Sequence, residues 1–290
     1  MRTVRTSDGR SLAYEVWGDP GGSPVFALHG TPGTRLNRHP WEDRVAELGA
    51  RVITYDRPGY GRSTRHPGRK IVDCVGDVAA IADDCGIERF AVTGGSGGGP
   101  HCLAVAARLG SRVTLARCVV GVAPYGGADL DWFAGMDPEN VKEFGWALAG
   151  EQVLRPELER EARGMRERVR ADPQTLLGDF ELPAADRAVL ADPRMHEVIV
   201  ESTPEMFAHG VDGWIDDDLA FCVDWGFDLD EIAVPVEIHY GATDVLVPAG
   251  HGAWLAQHVP GASVVVEVEG GHLMGPEAGL EMLASLIAPT

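Results

Sequence analysis

At 290 residues and 44% hydrophobic composition, the chain is long enough to bury the core of one or two domains. Its 44 acidic residues outnumber 25 lysines and arginines, and the net charge of −19 repels phosphate backbones and anionic lipids, so we expect neither a nucleic-acid partner nor a membrane partner. No apolar run approaches the roughly 18 residues that cross a bilayer, and the first residues lack the apolar core of a signal peptide, so we expect a cytoplasmic protein.

The first 125 residues alternate strand-like and helix-like segments. The predicted strands cover Ser11–Gly18, Val25–Leu28, Arg51–Tyr55, Phe90–Thr93 and Val113–Val122. The predicted helices cover Trp41–Leu48, Ile71–Cys85 and Pro100–Leu109. Short apolar strands separated by helices of this length are typical of an α/β domain with a doubly wound, parallel sheet.

The pattern changes over residues 126–226, where no strand is predicted. Several helical stretches are predicted there instead, among them Pro138–Ala149, Pro156–Ala171, Ala184–Leu190 and Arg194–Ala208. The alternation then returns, with strands at Val236–Tyr240 and Val264–Val268 and helices at Ala249–Val259 and Pro276–Ile287. We therefore predict one α/β core domain, formed by residues 1–125 and 227–290, and a helical insertion over residues 126–226.

A glycine-rich turn, Thr93–Pro100, lies between a predicted strand and a predicted helix. A dinucleotide site needs the pattern G-x-G-x-x-G there, and the pattern fails because Pro100 takes the place of the third glycine. The next strand also ends in Val120-Gly121-Val122, without the acidic residue that would bind a ribose. The five cysteines form no C-x-x-C pair that would indicate a zinc site. We expect no metal and no organic cofactor.

The same turn matches the pattern G-x-S-x-G at residues 94–98, in which a sharp turn from strand to helix exposes a serine. Side chains at Gly94 and Gly98 would collide in such a turn. The helix that begins here also favours negative charge beside the serine oxygen. Ser96 is therefore the candidate nucleophile. In a chain with 37 glycines, the alternative is a glycine-rich turn without chemistry.

A serine nucleophile needs a base, and an acid that orients the base. His272 follows the last predicted strand and Asp244 follows the strand before it, so both lie at the carboxyl edge of the sheet. Open α/β sheets carry their functional groups at this edge. Asp129 and Asp131 are alternative acids. Two other histidines share a predicted helix and are interpreted as surface residues: His251 and His258.

The tetrahedral intermediate of acyl transfer needs N–H groups that donate to its oxyanion. One is expected from Gly97, directly after the nucleophile, and the other from the loop after an early strand. In that loop Pro32 has no N–H, which leaves Thr31 as the best-placed donor. The remaining residues of the loop are expected to support it: His29, Gly30 and Gly33.

Taken together, these segments resemble the α/β-hydrolase superfamily, in the branch with an H-G-x-P-G loop. The motifs that carry the resemblance lie outside the insertion and in the order of the superfamily: His29–Gly33, Asp56–Ser63, Gly94–Gly98, Asp244 and Gly271-His272. The resemblance implies a central, mostly parallel sheet and a helical cap, formed by the insertion, over the active site. It also implies a Ser96–His272–Asp244 triad and oxyanion N–H groups from Thr31 and Gly97.

Differences from particular branches of the superfamily narrow the range of reactions that the resemblance implies. Dehalogenases and epoxide hydrolases carry aspartate at the nucleophile position, and Ser96 argues against both. Prolyl iminopeptidases usually read H-G-G-P-G and G-x-S-W-G-G, and Thr31 and Gly97 depart from these patterns. Cofactor-free haloperoxidases share the triad, so the resemblance allows perhydrolysis as a side activity.

The insertion bears on the choice of substrate. Its large apolar side chains either line an acyl pocket or pack the insertion against the core: Trp132, Phe133, Trp146, Phe180, Met195, Met206, Phe207, Trp214 and Phe221. The acidic run Asp216–Asp218 is expected to be a solvated helix start, and the alternative is a site for a substrate amine.

We therefore expect a serine hydrolase that cleaves a carboxylic ester, or a lactone, of a small to medium apolar acid through an acyl-enzyme. The expected partner is a small-molecule ester substrate. Two alternatives stay open: a prolyl iminopeptidase-like aminopeptidase, and a non-catalytic ligand-binding member of the same fold. The sequence does not fix the oligomeric state, and a homodimer stays open.

Overall fold

The computed structural model describes residues 1–287, over which it contains one eight-stranded sheet. In chain order the strands are β1 (Arg2–Arg5), β2 (Ser11–Gly18), β3 (Ser23–Leu28), β4 (Ala50–Tyr55), β5 (Phe90–Gly95), β6 (Val113–Val119), β7 (Val236–Gly241) and β8 (Ser263–Glu267). Their order in the sheet is β1-β2-β4-β3-β5-β6-β7-β8. β1 and β2 pair antiparallel with their neighbours, and the strands from β4 to β8 are parallel.

The described residues form ten α-helices, half of which lie between β6 and β7. Those of the first part are α1 (Glu42–Glu47), α2 (Cys74–Asp84) and α3 (Gly98–Arg108). Between β6 and β7 follow α4 (Pro138–Ala149), α5 (Glu151–Ala171), α6 (Ala184–Leu190), α7 (Pro193–Met206) and α8 (Asp212–Phe221). The last two are α9 (Ala249–His258) and α10 (Pro276–Ile287). None of these helices is long and apolar enough to cross a membrane.

Helices cover both faces of the sheet, because successive side chains of a strand point to opposite sides. In β3, Phe26 belongs to a buried cluster that includes Leu103 of α3. Its neighbour Val25 belongs to a different cluster, with Val45 of α1 and Leu280 of α10. The central strands are therefore buried on both faces, and their carboxyl ends are left as the edge from which the functional loops extend.

The helices between β6 and β7 have a buried cluster of their own. Leu154, Leu158 and Met165 recur along α5 at helical spacing and pack with Ile199 of α7 and Ile215 of α8. This packing accounts for an independent helical layer after β6. The boundaries of the helical cap at residues 126 and 226 stay predictions.

The predicted α/β architecture is confirmed, and the differences concern single elements. β1 was not predicted, because Arg2–Arg5 is mostly exposed and is defined only by its pairing with β2. β6 ends at Val119 rather than at Val122, because Val120 has a φ of 45°, outside the range of a strand. The predicted start of α5 at Pro156 was wrong, since the helix begins at Glu151 and continues through the proline.

Candidate active site

Ser96 lies on the sharp turn between β5 and α3 and has a φ of 53°, in the left-handed region. Its backbone N–H donates to the carbonyl of Val119 at 2.9 Å, and its carbonyl accepts from the N–H of Gly99 at 2.8 Å. A Cβ atom on Gly94 would overlap the carbonyl oxygen of Gly98, and one on Gly98 would overlap the backbone at the end of β3. Glycine is therefore required on both sides of this strained serine.

His272 and Asp244 come together from the loops after β8 and β7. His272 Nδ1 lies 2.8 Å from Asp244 Oδ2, and Asp244 Oδ1 accepts the N–H groups of Leu246 and Val247 at 2.8 and 2.9 Å. Because Nδ1–H donates to the carboxylate, Nε2 of the neutral imidazole is left as an acceptor. His272 and Ser96 line the same cavity.

The pKa of His272 reflects opposing influences. Burial alone lowers it, but the charge of Asp244, the hydrogen bond to Asp244 and the charge of Asp186 together raise the pKa above its ordinary value of 6.5. The alternative acids do not take part in this arrangement, because Asp129 and Asp131 are exposed and do not line the cavity.

The loop His29–Gly33 lies beside the serine. A Cβ atom on Gly30 would stand 3.4 Å from Ser96 Cβ, and one on Gly97 would overlap the side chain of Thr31. Thr31 and Gly97 are therefore neighbours at the serine. Within residues 1–287, the backbone hydrogen bonds leave the N–H groups of Thr31 and Gly97 without an acceptor. This is the arrangement that an oxyanion site requires, and the catalytic roles of these residues stay predictions.

His29 supports the loop through two hydrogen bonds of its ring. Its Nδ1 lies 2.7 Å from the carbonyl oxygen of Gly30, and its Nε2 accepts the backbone N–H of Arg57 at 3.1 Å. Burial and then the charge of Arg57 lower the pKa of His29 well below its ordinary value, so the ring stays neutral. Gly33 packs against this ring, because a Cβ atom there would overlap it.

A buried ion pair that sequence reasoning did not identify holds the same loop. The Arg57 guanidinium donates to Gly30 O and to Thr31 Oγ1, each at 2.9 Å, and to Asp217 Oδ2 at 2.6 Å. Asp217 also accepts from Thr31 Oγ1 at 2.7 Å and from Arg69 Nη2 at 2.6 Å. Burial alone raises the pKa of Asp217, but the charges of Arg57 and Arg69 hold it well below its ordinary value.

The acidic run of α8 is therefore not a solvated helix start, as expected from the sequence. Asp216, Asp217 and Asp218 are all buried. Arg65 and Arg69 pair with the first of them, and the Arg57–Arg69 network holds the second. These arginines come from the segment after β4, about 150 residues away in the chain, which is why the run looked solvent-exposed in the sequence.

The third carboxyl of the run, Asp218, lines the cavity with Glu143 of α4. Trp214 Nε1 donates to Glu143 Oε1 at 2.8 Å, and Asp218 Oδ2 has no hydrogen-bond partner within the described residues. Within residues 1–287 neither carboxyl has a basic partner in a salt bridge. Burial raises the pKa of Glu143 to about 7, and burial with the charges of Glu143 and Asp217 raises the pKa of Asp218 well above its ordinary value.

The cavity above Ser96 has a volume of about 520 Å³ and is mainly apolar. Of the large apolar side chains singled out in the insertion, Met195, Met206 and Phe221 line it, and the others do not.

Trp132 instead packs against His251, whose ring is buried and bonds to Ala123 N and Trp132 O. The interpretation of His251 as a surface residue was wrong, because this contact joins α9 to a distant loop.

Over residues 1–287, no group of three or more His, Cys, Asp or Glu side chains is arranged to hold a metal ion. The five cysteines are free. Burial raises the pKa of Cys74, Cys102 and Cys118, so these thiols are inert packing residues.

The chain is similar to known proteins in sequence and in fold. The family model described as alpha/beta hydrolase fold matches residues 23–278. A non-heme chloroperoxidase from Streptomyces lividans is 36% identical over 129 residues, which cover 43% of this chain and 46% of that protein. A proline iminopeptidase from Xanthomonas citri is 30% identical over 141 residues, which cover 45% of this chain and 42% of that protein. The chain thus spans less than half the length of these relatives.

The likeness to solved structures extends over the whole fold. The crystal structure of an enol-lactonase from Burkholderia xenovorans LB400 matches with a TM-score of 0.68 and 21% sequence identity. The match covers 98% of this chain and 99% of the lactonase. At this level of identity the likeness concerns the fold alone.

Proposed function

Because the chain belongs to the α/β-hydrolase fold family, we propose that it is a serine hydrolase that cleaves a carboxylic ester, or a lactone, of a small to medium apolar acid. The observation that carries the proposal is the opening of Ser96 and of His272, which is bonded to Asp244, into one mainly apolar cavity. The volume of about 520 Å³ suits an acid of this size. The fold shared with the enol-lactonase supports the inclusion of cyclic esters.

In the proposed reaction, His272 Nε2 takes the proton of Ser96 as Oγ attacks the carbonyl carbon of the ester. The carbonyl oxygen becomes an oxyanion and accepts the N–H groups of Thr31 and Gly97, each of which contributes roughly 3–4 kcal/mol in comparable sites. The intermediate then collapses, and the leaving alcohol takes the proton from His272. Water attacks the acyl-enzyme by the same steps and releases the acid.

Two buried groups prepare this reaction without touching the substrate. Asp244 holds the tautomer of His272 in which Nε2 is the acceptor and stabilises the imidazolium that forms. Arg57 bonds to His29 O, Gly30 O and Thr31 Oγ1, so the loop that supplies one oxyanion donor is fixed before substrate binds. A site that is already in place needs no reorganisation during the reaction.

The test is hydrolysis of p-nitrophenyl esters from acetate to laurate by the wild type and by Ser96→Ala. We expect Ser96→Ala to lower kcat by about a thousand-fold or more with an unchanged melting temperature. Ser7→Ala, at an exposed serine, is the matched control and keeps the wild-type rate. A fluorophosphonate should label the wild type on Ser96. Ester turnover that survives in Ser96→Ala, or a wild type that is neither active nor labelled, would refute the proposal.

The Glu143–Asp218 pair favours a second candidate function, an aminopeptidase of the prolyl iminopeptidase type. A buried and a half-buried carboxyl group without a basic partner are costly, and a protonated substrate amine would supply the missing positive charge. The relative from Xanthomonas citri supports this candidate. The reacting residues would be the same as for an ester.

Prolyl-p-nitroanilide assayed beside the esters separates the two candidates. If the aminopeptidase is correct, Glu143→Gln raises KM for the anilide at least tenfold and changes KM for apolar esters by less than twofold, because only the anilide carries an ammonium group. Ester turnover without anilide turnover favours the esterase and leaves the carboxyl pair without a role in recognising an amine. A wild type that is labelled on Ser96 but cleaves neither substrate calls for a wider substrate panel.

A further inference from the structure

A carboxylate from the helical layer contacts the backbone of the histidine loop. Asp186 belongs to α6 and is fully buried. Its Oδ2 accepts the backbone N–H of His272 at 3.0 Å, and its Oδ1 accepts the backbone N–H of Leu273 at 2.7 Å. Both carboxylate oxygens are therefore bonded to the segment that carries the candidate base, across 86 residues of chain.

The glycines of this loop allow the approach. A Cβ atom on Gly271 would overlap both carboxylate oxygens of Asp186. On the other side, a Cβ atom on Gly241 would overlap the carbonyl oxygens of Gly270 and Gly271. The backbone just before His272 is thus held between the end of β7 and the carboxylate of α6. No larger residue at either glycine would permit this packing.

The burial of Asp186 is not explained by an ion pair. Within residues 1–287 it forms no salt bridge, so its charge is balanced by backbone N–H groups of the histidine loop rather than by an arginine. A buried carboxylate in this situation is costly unless its hydrogen bonds are kept. The charged groups that act on His272 are Asp244, from the loop after β7, and Asp186, from α6. Both stabilise the imidazolium form of the ring.

We propose that Asp186 is a positioning residue for His272. Through it, α6 holds the base in place and also forms part of the helical layer. The inference rests on the proposed function, in which His272 is the base. It gives α6 two effects on the reaction. The two hydrogen bonds fix the backbone of His272 and Leu273 and so the position of the imidazole. The negative charge of Asp186 stabilises the imidazolium that forms as Ser96 attacks.

The test is the kinetics of Asp186→Asn with the best p-nitrophenyl ester. The asparagine amide can accept one N–H but presents its own N–H groups to the other, and it carries no charge. We expect kcat to fall by about 10- to 100-fold with KM within twofold of the wild type. We also expect the acid limb of kcat/KM to move to lower pH, which a role in folding alone would not cause. Asp179→Asn, at an exposed aspartate that precedes α6, is the control and behaves as the wild type.

The rate of fluorophosphonate labelling measures the reactivity of Ser96 without reference to the substrate. If the wild type is labelled on Ser96 and a folded Asp186→Asn is labelled at the same rate with the same acid limb, the role of Asp186 is refuted and the proposed function stands. If the wild type is neither active on the esters nor labelled, both proposals fall. Should Asp186→Asn fail to fold, Asp186→Glu decides, since it keeps the charge and moves the acceptors. The wild-type acid limb with a lower kcat would support the proposal, and an unchanged kcat would overturn it.

Discussion

His272 lies between two carboxylates, and the pH profile of the enzyme should report their effect. In the proposed mechanism only the neutral imidazole accepts the serine proton, so kcat/KM falls as the pH falls through the pKa of His272. Because Asp244 and Asp186 raise that pKa above 6.5 despite the burial of the ring, we predict an acid limb centred above pH 6.5. The measurement is kcat/KM for the best ester between pH 5 and 9.

The variant Asp244→Asn provides the control for this profile. It removes the larger of the two carboxylate effects and disturbs the tautomer of the ring, so its activity is expected to fall by about 10⁴-fold. A rate that stays constant down to pH 5 would show that His272 is not the base, and an acid limb below pH 6.5 would show that the two carboxylates do not outweigh the burial of the ring.

The motif residues of the candidate site could be predicted from the sequence because each is marked by its neighbours in the chain. Ser96 is flanked by glycines that the turn requires, and His272 lies in the short loop after a strand. Asp186 and Asp217 have no such mark. Their contacts are with His272, 86 residues later, and with Arg57, 160 residues earlier, and a single sequence does not show which distant charges meet.

At the scale of elements, α8 is joined to the loop after β4 by the ion pairs of Asp217. We predict that Asp217→Asn lowers the free energy of unfolding by about 3–5 kcal/mol, because it leaves the buried Arg57 guanidinium without its carboxylate and leaves Arg69 with Asp216 alone. Urea unfolding followed by tryptophan fluorescence measures the change.

Asp224→Asn, which lies shortly after α8, is a matched control for this prediction. Its carboxylate pairs with Lys70 at 2.7 Å, but both side chains are largely exposed and screened by solvent, so the expected loss is much smaller than that of Asp217→Asn. Equal effects of the two substitutions would mean that the buried network does not tie α8 to the loop.

The elements themselves were predictable to different degrees. Buried parallel strands such as β3 and β5 are short apolar runs with glycine at or just after their carboxyl ends. Their position in the chain and their strand conformation are therefore both visible in the sequence. β1 and α8 are not marked in this way. β1 is held by its register with β2. α8 contains three consecutive aspartates, and the first two are paired with arginines from another part of the chain.

For the whole molecule, buried titratable groups make stability depend on pH. Burial and the charge of Arg57 lower the pKa of His101 to about 3, from an ordinary value of 6.5. Between these values the unfolded chain binds a proton that the folded chain does not, so the free energy of unfolding decreases as the pH falls from about 6.5 towards 3. The raised pKa values of Glu143 and Asp218 act in the opposite direction between about pH 4.5 and 7.

A single substitution isolates the contribution of His101. The ring Nδ1 lies 2.7 Å from the carbonyl oxygen of Gly97, and the amide of His101→Asn can donate to the same oxygen without titrating. Between pH 7 and pH 5 the wild type is expected to lose about 2 kcal/mol through His101 alone, and the variant should lack this loss. Urea unfolding at both pH values measures it, with His258→Asn, at an exposed histidine, as the control. If His101→Asn loses as much stability on acidification as the wild type, the buried ring is not the group that titrates.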